Sequence, residues 1–164
     1  MTSPKFKPNT MQITLDNYEQ EIVRGIALAR HNNNIERGSR DFKMGNGDDL
    51  LINLEGTGGE FAFCKLQNIY PDMTINHPIP FDCYIKGHGF IDVKSTKKTN
   101  GMLLVGTWKS RSIPDYYALM VGEFPTYEFK GFFPGEEVFN DENLVNLGHG
   151  ETYGISQDRL IMEL

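Results

Sequence analysis

Phe81-Asp82-Cys83-Tyr84-Ile85-Lys86-Gly87-His88-Gly89-Phe90-Ile91-Asp92-Val93-Lys94-Ser95 decides how this chain reads. Two apolar runs, 81–85 and 90–95, flank Lys86-Gly87-His88-Gly89, whose glycines tolerate the positive φ of a tight turn. The stretch therefore predicts a β-hairpin. On a strand, residues i and i+2 share a face. Asp92 and Lys94 then project together, while Ile91 and Val93 enter the other face. Asp82 joins them only in one register. A three-residue loop, Lys86-Gly87-His88, pairs Ile85 with Gly89 and sets Asp82 opposite Asp92. A two-residue loop at Gly87-His88 pairs Asp82 with Val93 and splits the carboxylates between faces. The hairpin thus carries a register expectation: an odd loop, or a bulge.

Upstream, a helix is expected to begin after Asp48 or Asp49, which can cap it, and to run through Leu51, Leu54, Phe61 and Leu66 to about Asn68. Gly56, Gly58 and Gly59 lie inside it, each costing ~1 kcal/mol against alanine. Close approach of the helix to a sheet would require such residues. With Gly56 one turn earlier on the same face, Glu60 is expected to reach the sheet. Glu55, on a different face, ranks below it. An earlier helix is signalled by Leu15, Tyr18, Ile22, Ile26 and Ala29, with Asp16 and Glu19 as a capping box and an end near Arg30. Residues 1–13 read as an irregular arm, 31–48 as a polar connection, and Pro71, Pro78 and Pro80 as marking a loop.

Downstream, 102–108, 116–121 and 127–132 read as strands, followed by a polar tail closing on Leu160 and Met162. Helices followed by strands predict an α/β (α+β) domain over 14–164, a mixed sheet with helices packed on it. His88 falls in a turn and His149 in a loop. Trp108 and Tyr116 read as core or sheet-face residues.

A chain of 164 residues suits one core and is short for two. No apolar run is long enough to span a membrane, and the N-terminal residues lack the apolar segment of a signal peptide. A cytoplasmic protein with no membrane partner is the expectation. The net charge of −6 argues against a chain that coats nucleic acid, but it agrees with clustered carboxylates around a cation. Local basic residues occur at Lys94, Lys97 and Lys98, then at Lys109 and Arg111. Of these, Lys97 and Lys98 are the candidates for phosphate contact. Cys64 and Cys83, taken with His77 and His88, match no zinc spacing and read as inert thiols.

An acid and a lysine on one strand face suit metal-assisted phosphodiester chemistry. The carboxylate can hold a hard cation, and the lysine can orient water and offset transition-state charge. The triplet alone is unspecific, since it recurs at Asp41-Phe42-Lys43 and Glu128-Phe129-Lys130. Pro114-Asp115 ahead of the latter makes a literal decoy. It is set aside because no helix with a spare carboxylate lies just before Asp115, which reads as a strand entrance.

Gly58-Gly59-Glu60-Phe61-Ala62, Phe81-Asp82 and Gly89-Phe90-Ile91-Asp92-Val93-Lys94 together resemble the core of the PD-(D/E)XK nucleases, phage or bacterial type. The resemblance covers about residues 50–135. It implies a restriction endonuclease-like mixed β-sheet flanked by helices and a nuclease hydrolysing DNA. It also implies Mg2+ or Mn2+ held by Asp82, Asp92 and Glu60 with the Val93 carbonyl, and Lys94 near the attacking water. Nucleases that cut two strands often act as dimers, so a homodimer is compatible with it. Two features depart from the pattern. Phe81 separates Pro80 from Asp82, and no amphipathic helix follows Lys94. The competing reading is an inactive nucleic-acid-binding or protein-interaction module on the same fold.

Overall fold

The computed structural model describes residues 11–37, 48–76 and 79–164. The expectations placed on 1–10, on most of the polar connection and on His77 and Pro78 lie outside the described residues. The fold is α+β, in three layers.

The first layer holds helices α1 (Asn17–Glu36) and α2 (Asp49–Gln67). The Asp16–Glu19 capping box starts α1, with Oδ1 of Asp16 accepting from the Glu19 N–H at 2.9 Å and Oε2 of Glu19 accepting from the Asp16 N–H at 2.7 Å. The helix passes Arg30 and ends at Glu36, six residues later than expected, because His31–Asn34 continue the turn. Its buried stripe is Val23, Ala27 and Arg30. Tyr18 and Ile22, expected on the core face, are exposed. Two overlapping stripes satisfy helical spacing here, and packing on the sheet and α2 selected the one through Val23, Ala27 and Arg30. Helix α2 is capped by Asp48 and closes on Asn68 in the left-handed conformation, as its sequence signals suggested.

The middle layer is a curled five-stranded sheet ordered β1-β6-β5-β3-β2: β1 Gln12–Thr14, β2 Cys83–Ile85, β3 Gly89–Thr96, β5 Tyr116–Glu123 and β6 Thr126–Pro134. Residues 12–14 therefore belong to the sheet and not to an irregular arm: β1 pairs with β6. Among the described strands only β3 and β5 pair in parallel. The crossover between them is the strand β4 (Leu103–Gly106) and a 3-10 turn at Thr107–Arg111, in place of a helix. Trp108 consequently leaves the strand expected for it and sits half-exposed in that turn.

The third layer is the sheet β4-β8-β7, with β7 Leu144–Asn146 and β8 Glu151–Ile155. Its β4 falls within 102–108, where a strand was expected, whereas β7 and β8 come from the segment expected to be a polar tail; the short α3 (Gly135–Val138) leads into them. Alternation along the central strands divides the core. Ile91, Val93, Ala118, Met120 and Phe129 pack toward the helices. Tyr117, Leu119, Val121 and Phe133 pack toward Leu103, Val105 and Ile155 of the smaller sheet. Among the described residues no helix is long and apolar enough to cross a membrane.

Candidate functional site

The hairpin adopts the odd register. Ile85 pairs with Gly89, Tyr84 with Phe90 and Cys83 with Ile91. The turn needs its glycines: Gly87 has φ +86° and Gly89 φ +98°. Gly89 is constrained twice, since a Cβ there would fall 2.2 Å from Oδ2 of Asp115. That carboxylate accepts the Phe90 N–H at 2.8 Å, so Asp115 anchors the start of β3 from the entrance of β5.

Strand β2 stops at Cys83, and the side chain of Asp82 then takes over the edge of β3. The Asp82 N–H donates to the Ile91 carbonyl at 3.0 Å, and its Oδ2 accepts the Val93 N–H at 2.6 Å. In an extended strand the N–H and C=O of one residue point to the same edge. The Val93 carbonyl therefore opens on the edge that Asp82 occupies.

Ile91 and Val93 face the helices, so Asp92 and Lys94 face the smaller sheet. Asp92 is 3% exposed. A buried carboxylate needs partners, and it has two: Lys94 Nζ at 2.5 Å from Oδ1 and Lys109 Nζ at 3.4 Å from Oδ2. Lys94 also lies over the Tyr117 ring, 5.8 Å from its centroid. Burial would lower the Lys94 pKa, but Asp92, Asp82 and Glu60 outweigh it and raise the value above the ordinary lysine range. Lys94 is therefore an ammonium at neutral pH. Asp82 is pushed well above the usual carboxylate range, first by burial, then by Glu60 and by Asp92, against the pull of Lys94 and the Val93 N–H.

Glu60 reaches this neighbourhood from the helix layer, with its Oε2 3.0 Å from Nη1 of Arg30. Arg30, 5% exposed, also donates to the carbonyls of Asp72 and Thr74 at 3.0 and 3.1 Å. Glu60 thus approaches the sheet edge from one face and Asp92 from the other, with Asp82 between them. The three carboxylates influence one another but do not converge: among the described residues no three His, Cys, Asp or Glu side chains form a group that could hold a metal ion.

The remaining candidates separate. Lys97 is engaged by Glu55 at 3.5 Å and Glu123 at 3.4 Å. Lys98 is exposed beyond the end of β3. Glu55 is structural, accepting from the Phe124 N–H at 3.0 Å and the Tyr127 hydroxyl at 3.2 Å. Gly56 meets nothing, whereas Gly58 and Gly59 make the close approach, to Tyr127 and Ser95. Both cysteines are free thiols, and the Cys83 thiol is held up in pKa by its hydrogen bond with Cys64 and by burial. Arg30 and Lys109 were not singled out as site residues from sequence. Arg30 had a readable signal, its place on the Val23–Ala27 stripe. Lys109 had none beyond its charge, since the 3-10 turn places it.

The chain belongs to a family of unknown function, DUF5843, whose family model matches residues 9–163. No curated protein and no solved structure matches the chain.

Proposed function

We propose that this family member is a metal-dependent nuclease hydrolysing phosphodiester bonds in DNA, built on a restriction endonuclease-like sheet. The observation that carries the reading is the hairpin register, which brings the Asp82 carboxylate onto the β3 edge at Val93, between Asp92 and Lys94. The order of parts supports it too: an acid on a helix against the sheet, an Asp at an edge strand, and Asp-x-Lys on its neighbour.

The donor set suits a hard cation at Asp82 and Asp92. Both are oxygen ligands, the second Asp82 oxygen has no hydrogen bond among the described residues, and the crowding that raises the Asp82 pKa is what a cation relieves. Asp82, Asp92 and the Val93 carbonyl would hold Mg2+ or Mn2+. Glu60, committed to Arg30, would add its charge from outside the ligand set. A cation there supplies Lewis acidity to phosphoryl oxygens. Lys94, protonated and fixed by Asp92, serves as a donor offsetting charge on the phosphate, not as a base. Lys109 can take Lys94's place as partner to Asp92 when Lys94 turns to substrate.

A DNA cleavage assay on single-stranded, duplex and branched substrates with Mg2+ and Mn2+ tests the reading. Wild type should cleave at least one. Lys94→Ala should lose activity by about 10²–10³-fold, the usual effect of removing a transition-state donor, and Asp92→Asn, which takes a carboxylate from the cation's ligands, should lose activity as well. Full cleavage in both variants would refute the assignment. The second reading, a binding module without catalysis, draws on both Asp92 oxygens being held by lysines. Calorimetry with Mn2+ separates the two, since a module without a metal site gives no binding heat.

A further inference from the structure

A cleft of about 670 Å³ opens beside Lys94, between the end of β3, the 97–102 turn, the start of β4 and the β7–β8 turn. Lys94, Lys98 and His149, with the neutral Ser95, Thr96 and Asn100, supply its polar lining, and Met102, Leu104 and Leu147 its apolar part. Among the described residues no carboxylate lines it, in a chain of net charge −6. Three other surface clefts each carry at least one: Glu136 and its acidic neighbours, Glu19, and Glu163. A polyanion therefore meets less carboxylate repulsion here than at those three clefts.

The loops that frame the cleft are built to present these side chains. Gly148 and Gly150, at φ +97° and +94°, bracket His149, and the Gly148 N–H is tied to Oδ1 of Asn146 at 2.9 Å. The Gly101 N–H closes a turn on the Lys98 carbonyl at 2.8 Å, leaving the Lys98 side chain in solvent. Leu147 is 51% exposed, although it stands over Met102 and Leu104. Cations at the rim and exposed aliphatic surface inside suit a ligand with a phosphate at one end and a flat apolar face at the other.

We propose that this cleft binds an unpaired nucleotide of a nucleic-acid strand, with phosphates toward Lys98 and Lys94 and the base against Met102, Leu104 and Leu147. The volume lies within the usual range of small-molecule sites and admits one nucleotide. In a duplex the bases are stacked on their neighbours, so only phosphates could engage and the apolar part would stay empty. The cleft therefore makes single-stranded or flapped nucleic acid the preferred substrate class. This assignment of substrate rests on the nuclease reading; binding itself does not.

The test is fluorescence anisotropy with a labelled oligothymidylate and a duplex of equal length, in EDTA so that no cleavage occurs. Wild type should bind the single strand at least tenfold more tightly than the duplex. Lys98→Gln should weaken single-strand binding severalfold and reduce the salt slope by about 0.7, the loss of one phosphate contact. Leu147→Asn, which removes apolar surface without adding charge, should weaken single-strand binding at least fivefold and leave duplex binding unchanged. Both positions are exposed, so unchanged thermal melting should accompany both variants. Equal affinity for duplex and single strand, indifference to both substitutions, or equally tight binding of polyglutamate would overturn the proposal. Binding as expected without cleavage in Mg2+ keeps the cleft and removes the nuclease. Cleavage with binding indifferent to both variants does the reverse.

Discussion

Strands β3 and β6 of the same sheet each carry an acid and a lysine two residues apart, and the two pairs end in different surroundings. Asp92 is buried, has Lys94 and Lys109 on its oxygens, and lies beside Asp82 at an open sheet edge. Glu128 and Lys130 bond each other at 2.9 Å with side chains 43% and 22% exposed. Lys130 also falls where the β5–β6 register shifts: Leu119 pairs with Gly131, and Met120 with Phe129. Lys130 is the skipped residue and bends the strand, so it lies in a bulge and does not share a regular face with the paired Glu128. Asp115, the acid that a motif search would add to them, lies at the far end of β5, where Tyr116 pairs with Pro134 while Glu128 pairs with Val121. The same triplet is a charged cluster in one strand and a surface ion pair in the other, and the neighbouring elements make the difference.

The comparison is broken most directly at Arg30, which backs the β3 site through Glu60 and has no counterpart behind β6. Arg30→Ala leaves the half-buried Glu60 without its partner and strips the Asp72 and Thr74 carbonyls of a donor, and should cost about 2–4 kcal/mol in urea unfolding. A loss under 1 kcal/mol would mean the pair is solvated. Replacing Arg30 and Glu60 together with Met and Leu should recover much of the loss.

A smaller effect separates two glycines of α2, the helix that brings Glu60 to the sheet. A Cβ at Gly59 would fall 2.0 Å from Oγ of Ser95, whereas one at Gly56 meets nothing. Gly59→Ala should destabilise by about 1–3 kcal/mol, and Gly56→Ala should stabilise by about 1 kcal/mol. Equal shifts in thermal melting would show that the helix does not approach the sheet this closely.

Asp82 sharpens the comparison through pH. Its folded pKa is raised, so the native state binds the proton more tightly than the unfolded chain. Stability therefore falls as pH rises from the ordinary carboxylate range through the raised value. Asp82→Asn should remove that decline in EDTA and stabilise the protein near neutral pH by about 0.5–2 kcal/mol. A melting profile with the same pH slope in both proteins would contradict the crowded site. The smallest change is expected at β6, where Lys130→Ala should move stability by about 0.5 kcal/mol or less.

How much of this could be read in advance differs between elements. The caps of α1 and α2 and the hairpin were legible because they depend on residues within a few positions of one another: Asp16 with Glu19, Asp48 with Leu50, Gly87 with Gly89. Of the stripe expected on α1, Leu15 and Ile26 do pack on the core, but Tyr18 and Ile22 face out, since they fit helical spacing as well as Val23 and Ala27 do. The smaller sheet was missed because Glu151–Ile155 and Leu144–Asn146 are short, and they become strands by pairing with each other and with β4.

The sequence alone determined that Asp92 and Lys94 share a strand face and that Asp82 comes near them only through an odd loop at Lys86-Gly87-His88. Both follow from the two-residue period of a strand and the turn chemistry of glycine, which are local. Only the tertiary structure decided that Glu60 would answer to Arg30, that Asp92 would hold Lys109, and that Glu60 and Asp92 would approach Asp82 from opposite sides of the sheet. Those are contacts between segments far apart in the chain, chosen when the helix layer and the smaller sheet closed over the two faces of β3.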